Sequence, residues 1–254
     1  MQLLLSCAKT MAADSAVHTP RTATPRFAAQ ADLLAARLAA LSVGELAREL
    51  KVGERIAAEN RRRYLRFHDA PARAALEAYA GIVFQRIAPE TFSADDFEYA
   101  QRHLNITSFL YGLLRPLDAI RPYRLEGAAR IPGLDGRSLF EFWQPQLTDL
   151  LIDRVRADDG VLVNLASGEM KRLFDWKRVC REVRVVTPDF RIGDGERLRT
   201  VVVYAKMCRG AMTRYLLRRR IDTPEALHDF AWEGFRFDPE RSRPDAPLFT
   251  LRTP

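Results

Sequence analysis

Apolar residues recur at helical spacing from Phe27 to Leu41, which predicts an amphipathic helix. Ser42-Val-Gly-Glu45 sets a hydroxyl and a carboxylate three residues apart, a capping box, so a second helix follows at once. Gly53–Phe67 and Arg73–Tyr79 read as two more helices. Ser93-Ala-Asp-Asp96 is another helix start, continued through Phe97–Leu104. Ser138–Val155 is amphipathic, and Pro145 is expected to kink or divide it. Met207–Arg220 returns to the helical period.

Between these lie strand signals. Leu3–Ser6 is a short apolar run, and Val161–Ala166 is the continuous apolar run of a buried strand. Val183–Val186 and Leu198–Tyr204 are rich in β-branched residues and read as strands. Phe230–Phe237 and Leu248–Leu251 read as closing strands, and Met11–Pro25, rich in Ala, Thr and Pro, as loop. Strands at both ends suggest one sheet system sewn together from distant segments. The expectation is an α/β fold with residues 1–254 as a single domain, without internal repeat or low-complexity linker.

Composition narrows the class. Hydrophobic residues make up 47% and charged residues 29% of 254, too apolar for disorder. No run approaches the roughly 18 apolar residues of a membrane span. The start, Met1–Cys7, has no basic residue and too short an apolar run for a secretion signal. Cys7, Cys180 and Cys208 are odd in number and widely spaced, which argues for a reducing compartment. A cytoplasmic protein without membrane or obligate protein partner is therefore expected.

The formal charge is +7, and it is not spread evenly. Residues 171–220 hold 15 Lys/Arg against 5 Asp/Glu, whereas the rest holds 25 against 28. That localisation points to a polyanion partner, nucleic-acid phosphate above all. In Met207–Arg220, an apolar stripe of Met207, Ala211, Met212, Tyr215 and Leu216 leaves Arg209 on another face, beside Lys206 one turn upstream. Arg214 and Arg218 form a like-charge i, i+4 pair that a bound anion would relieve. A solvated helix end explains Arg218–Arg220 but explains Lys206 and Arg209 poorly.

Covalent chemistry finds little support. His18, His68, His103 and His228 lack metal-ligand spacing, and no C-x-x-C occurs. Neither a Walker-type nor a dinucleotide glycine loop is present. No metal, cofactor or catalytic residue is assigned. Ser6-Cys-Ala-Lys9 has S-x-x-K spacing but lies at a strand end, where Lys9 suits anion binding better than catalysis. Phe109-Leu-Tyr-Gly-Leu-Leu-Arg-Pro-Leu-Asp118 sets Gly112 among apolar residues, with Arg115, Arg121 and Arg124 close behind. A glycine turn beside arginines is the logic of a helix-hairpin-helix phosphate clamp; a tight turn in the core, with Arg paired to Asp118 and Glu126, is the alternative.

Six blocks in order carry a resemblance. They are Ser6-Cys-Ala-Lys-Thr10, Thr91-Phe-Ser-Ala-Asp-Asp-Phe97, Leu110-Tyr-Gly-Leu-Leu-Arg-Pro-Leu-Asp118, Pro122-Tyr-Arg-Leu-Glu126, Val163-Asn-Leu-Ala-Ser167 and Tyr204-Ala-Lys-Met-Cys-Arg-Gly210. On these the chain resembles the YaaA family of peroxide-stress proteins. The resemblance implies a cytosolic single-domain α/β fold, with sheet layers flanked by helices and a positively charged cleft. It implies DNA binding through a helix-hairpin-helix element, and resistance to hydrogen peroxide by limiting iron-dependent damage. The positions that match are Lys9, Tyr111, Gly112, Arg115, Arg124, Lys206 and Arg209. Phe109 stands where the hairpin usually has its first glycine, and Cys7 where proline is usual. The rival reading is an enzyme for a small anionic or nucleotide substrate, with Lys9, Arg115, Glu126, Tyr204 and Lys206 around its pocket and Glu126 as base.

Overall fold

A computed structural model describes residues 1–12, 14–193 and 197–252. The chain opens with β1 (Gln2–Leu5), then runs through α1 (Ala28–Ala39), α2 (Val43–Leu50) and α3 (Glu54–Leu65). Next come β2 (Arg73–Ala74), α4 (Ala75–Ala78), α5 (Ile82–Ile87) and α6 (Ala94–His103). β3 (Leu104–Ser108), β4 (Gly112–Leu114) and β5 (Ala119–Ile120) follow, then α7 (Leu139–Arg156), β6 (Val161–Asn164), α8 (Gly168–Lys171) and α9 (Trp176–Glu182). The last part holds β7 (Arg184–Val186), β8 (Asp189–Ile192), α10 (Val202–Arg219), β9 (Arg236–Phe237) and β10 (Leu248–Leu251).

The main sheet has the order β4-β3-β1-β6-β7. β3, β1, β6 and β7 are parallel; β4 turns back antiparallel on β3. Leu3 sits opposite Leu104 on one side and Val163 on the other. All four residues of β1 are buried, as a strand covered on both faces requires. β8 and β9 flank β10 in a second sheet, and β2 pairs with β5 in a third. One contiguous apolar core runs from Met1 to Phe249. The fold is mixed α/β with several sheets flanked by helices.

Helix starts were the best-marked features. Ser42, Ser93 and Ser138 each close a capping box with the acid three residues on. Three expectations need correction. Pro145 does not divide its helix; α7 is continuous, though Pro145 gives the Glu141 carbonyl no helical donor. Leu198–Tyr204 is no strand, because α10 begins at Val202. Its buried residues Ala205, Cys208 and Met212 carry the apolar stripe one turn upstream, and tertiary packing overrides β-propensity. Arg73–Tyr79 divides into β2 and the single turn α4.

A fourth correction concerns the helix-hairpin-helix expected around Gly112. This segment is a β-hairpin, with Ile106 paired to Leu114 and Ser108 to Gly112. Gly112 has φ +70°, and a Cβ there would stand 2.9 Å from the Trp143 ring. The glycine thus serves a tight turn packed under α7 and presents no backbone to a phosphate. Trp143 Nε1 donates to the Phe109 carbonyl at 2.8 Å and locks hairpin to helix.

Candidate functional site

β1 and β6 are neighbours, yet the chain after each leaves in opposite directions. After β1 it goes towards the β3 side of the sheet; after β6 it goes to β7. Such a divergence opens a crevice at the carboxyl ends of the strands. A cavity of about 480 Å3 lies there. Ser6–Thr10, following β1, form one wall, and Leu165, Ser167, Glu169 and Met170, following β6, form another. The Ser167 amide donates to Ser6 Oγ at 2.9 Å and ties the two walls together. The start of α5, Phe109 from the hairpin, and the Tyr123–Leu125 loop complete it. α10 contributes Lys206 and Arg209, three residues apart and so on one face.

Lys9 is half exposed, and its Nζ donates to both Glu126 oxygens at 2.8 and 2.7 Å. The Glu126 side chain is only 12% exposed, and the Arg124 guanidinium stands 3.9 Å from its Oε1. Arg124 Nε is buried without a hydrogen-bond partner among the described residues. Below the cavity, hydroxyls form a chain. Ser108 Oγ lies 2.7 Å from the Tyr123 hydroxyl, which lies 2.8 Å from that of Tyr79. Burial pushes both phenols well above their ordinary pKa, so this chain is neutral scaffolding.

Peroxide chemistry at a thiolate has no prepared residue. Burial, with Glu169 adding repulsion, pushes the Cys7 thiol up to about 12. Burial does the same to Cys208, and raises Cys180. None is primed as a nucleophile at neutral pH.

The structure brings together Lys9, Arg124, Lys206 and Arg209 and leaves the other expected contacts elsewhere. Tyr111 is buried, and its hydroxyl accepts the Arg121 amide at 3.0 Å. Arg121 lies over the Phe67 ring at 5.7 Å. Arg115 sits at the amino end of the sheet, donating to Gln2 Oε1 at 3.2 Å and to the Arg102 carbonyl at 2.9 Å. Burial, together with neighbouring Arg115, pulls Arg154 down to about 9 in the same network. Arg214 donates to the Ile87 and Ala88 carbonyls at 3.0 and 3.1 Å, capping α5. Arg218 lies 3.3 Å from Asp96. Tyr204 is exposed but is not among the residues lining the cavity. Arg115→Ala is expected to lower stability by about 1–3 kcal/mol, seen in a denaturant titration, because it leaves buried partners unsatisfied.

Sequence reasoning missed Lys171 and Arg172. They line a groove with Arg130, Phe140, Gln144 and Trp176. Lys171 lies over Trp176 at 5.1 Å and Arg172 over Phe140 at 3.9 Å. Burial lowers the Lys171 pKa, and the nearby Arg209 charge also depresses it. Lys171 follows directly on Met170, which lines the cavity. The available signal was position, since these two residues open the basic segment just after the Val163–Ser167 block. Lys206, Arg209, Lys171 and Arg172 have no ion-pair partner among the described residues.

The molecule is thus a mixed α/β protein with a cavity at the switch point of its main sheet, lined in part by Lys9, Arg124, Lys206 and Arg209. The peroxide stress protein YaaA family pattern matches residues 1–241. The chain belongs to this family. A UPF0246 protein of Bacteroides thetaiotaomicron is 55% identical over 240 residues, covering 94% of this chain and 93% of its own. One from Phocaeicola vulgatus is 52% identical over 256 residues, covering 99% of each. A UPF0246 protein of Burkholderia mallei is 38% identical over 259 residues, again covering 99% of each. No helix among the described residues is long and apolar enough to cross a membrane. Nor do the described residues hold a group of three or more His, Cys, Asp or Glu side chains able to share a metal.

Proposed function

We propose that this single-domain cytoplasmic protein acts in the peroxide-stress response by binding DNA along its phosphate backbone, with little sequence specificity. The observation that carries this is the set Lys206 and Arg209 at the cavity and Lys171 and Arg172 in the neighbouring groove, charged side chains without an ion-pair partner among the described residues. Lys9 and Arg124 line the same cavity, partly neutralised by Glu126. Unpaired surface cations repel one another, and condensed phosphates relieve that repulsion while releasing counterions. The groups offered are guanidinium and ammonium ions, which suit phosphate oxygens, so the reading is of backbone position more than of sequence. Held on DNA, the protein would limit iron-dependent oxidation of the strand, in keeping with a family of peroxide stress proteins.

Fluorescence anisotropy on unrelated duplexes between 50 and 200 mM salt tests this reading. About four phosphate contacts predict a slope of log K on log salt of roughly −3 to −4, equal for every sequence. A slope near zero, or strong preference for one sequence, would contradict it.

A further inference from the structure

We propose that the cavity between the ends of β1 and β6 binds one nucleoside monophosphate unit, base inward among apolar walls and phosphate at the cationic mouth. The site shares Lys206 and Arg209 with the DNA reading. It is carried by a different feature, the enclosed volume behind them. A surface that follows phosphates needs no hollow. This one holds about 480 Å3, within the ~300–1,000 Å3 span of small-molecule sites. It stands where open α/β sheets take their ligands.

The walls set the class of ligand. Leu5, Ile82, Val83, Phe109, Leu165 and Met170 present hydrocarbon. A flat ring is at home there, whereas a bare sugar would bury hydroxyls without partners. Ser167 supplies a hydroxyl for a ring edge, and Thr10 stands at the exposed rim. The mouth is different in kind. Lys9, Arg124, Lys206 and Arg209 bring four positive charges, and Glu126 and Glu169 bring two negative ones. The surplus of two matches a phosphate monoester dianion.

Two sources share this chemistry: a free mononucleotide, and the terminal nucleotide of a DNA strand bearing a phosphate. Thermal unfolding of the full chain with each 5′-deoxymononucleotide, each nucleoside and inorganic phosphate addresses the first. A Tm rise of about 3–5 °C is expected for a mononucleotide at tenfold its Kd. Nucleoside or phosphate alone at that concentration should give less than 1 °C, by roughly the same measure. A 5′-phosphorylated oligonucleotide compared with its 5′-hydroxyl twin addresses the second. Ser167→Trp fills the hollow and Thr10→Trp, at an exposed position, closes its mouth; both should abolish the shift. Binding of either phosphorylated form, lost in a tryptophan variant that keeps its circular dichroism, supports the proposal. Binding of neither form by the unaltered protein overturns it, whatever long duplexes do. An unchanged shift in both folded variants overturns it too. Absence of duplex binding by the unaltered protein, with mononucleotide binding present, would instead overturn the DNA reading alone.

Discussion

Charge reversal at Lys206 and Arg209 together is expected to weaken binding to duplex DNA about 100-fold, at ~1.4 kcal/mol for each lost contact. The reason lies in what surrounds the two residues. Neither spends its charge on a carboxylate among the described residues, and both face the cavity from one side of α10. Reversal removes two phosphate contacts and adds repulsion, so the salt slope should flatten by about 2. The loss should be equal on unrelated sequences, since only backbone is touched. Arg209 is partly buried and feels Asp189. Lys206 is exposed, so Lys206→Glu alone should carry about half of the effect, in free-energy terms, without strain on the fold. Arg115→Ala, at the opposite end of the sheet, should leave DNA affinity unchanged within about twofold. Anisotropy titrations of the three variants check all of this.

Gly210→Ala should destabilise the protein by about 2 kcal/mol and lower Tm by roughly 4–8 °C. Helix propensity alone predicts the opposite sign, a gain of about 1 kcal/mol from removing a glycine inside α10. Packing decides. A Cβ on Gly210 would stand 2.2 Å from the Val83 carbonyl oxygen and 2.8 Å from Arg86 Cβ. The first of these is backbone and cannot swing away. α10 would have to lift from α5, displacing Lys206 and Arg209 from the cavity that α5 also lines. Calorimetry of this one variant measures the sign, and its DNA affinity reports whether the helix has moved.

The sequence carried local signals well and non-local ones poorly. Ser42 and Ser93 announced their helices because a capping box is a four-residue event. β1 and β6 were visible because strands buried on both faces read as unbroken apolar runs. β3 was not read as a strand, since Leu104 begins it where α6 ends, with no intervening turn. β8 was lost because Asp189 and Arg191 break its apolar run, while Phe190 and Ile192 alone face the core. The site followed the same division. Lys206 and Arg209 stood out through charge and helical phase. Arg115, Arg214 and Arg218 carry the same charge, but whether a guanidinium meets a carbonyl or a ligand is a tertiary fact. Gly112 misled for a related reason: a turn glycine beside arginines looks alike whether it cradles phosphate or tryptophan.

The chain has five lysines, and three of them, Lys9, Lys171 and Lys206, lie on the proposed surface, while Lys51 ends α2. Acetylation footprinting with and without duplex DNA therefore locates the DNA contact on the molecule. DNA should slow modification of Lys9, Lys171 and Lys206 together by about tenfold at saturation, and leave Lys51 unchanged. Equal reactivity of all four with and without DNA, under conditions where the duplex is bound, would place the contact elsewhere and contradict the account.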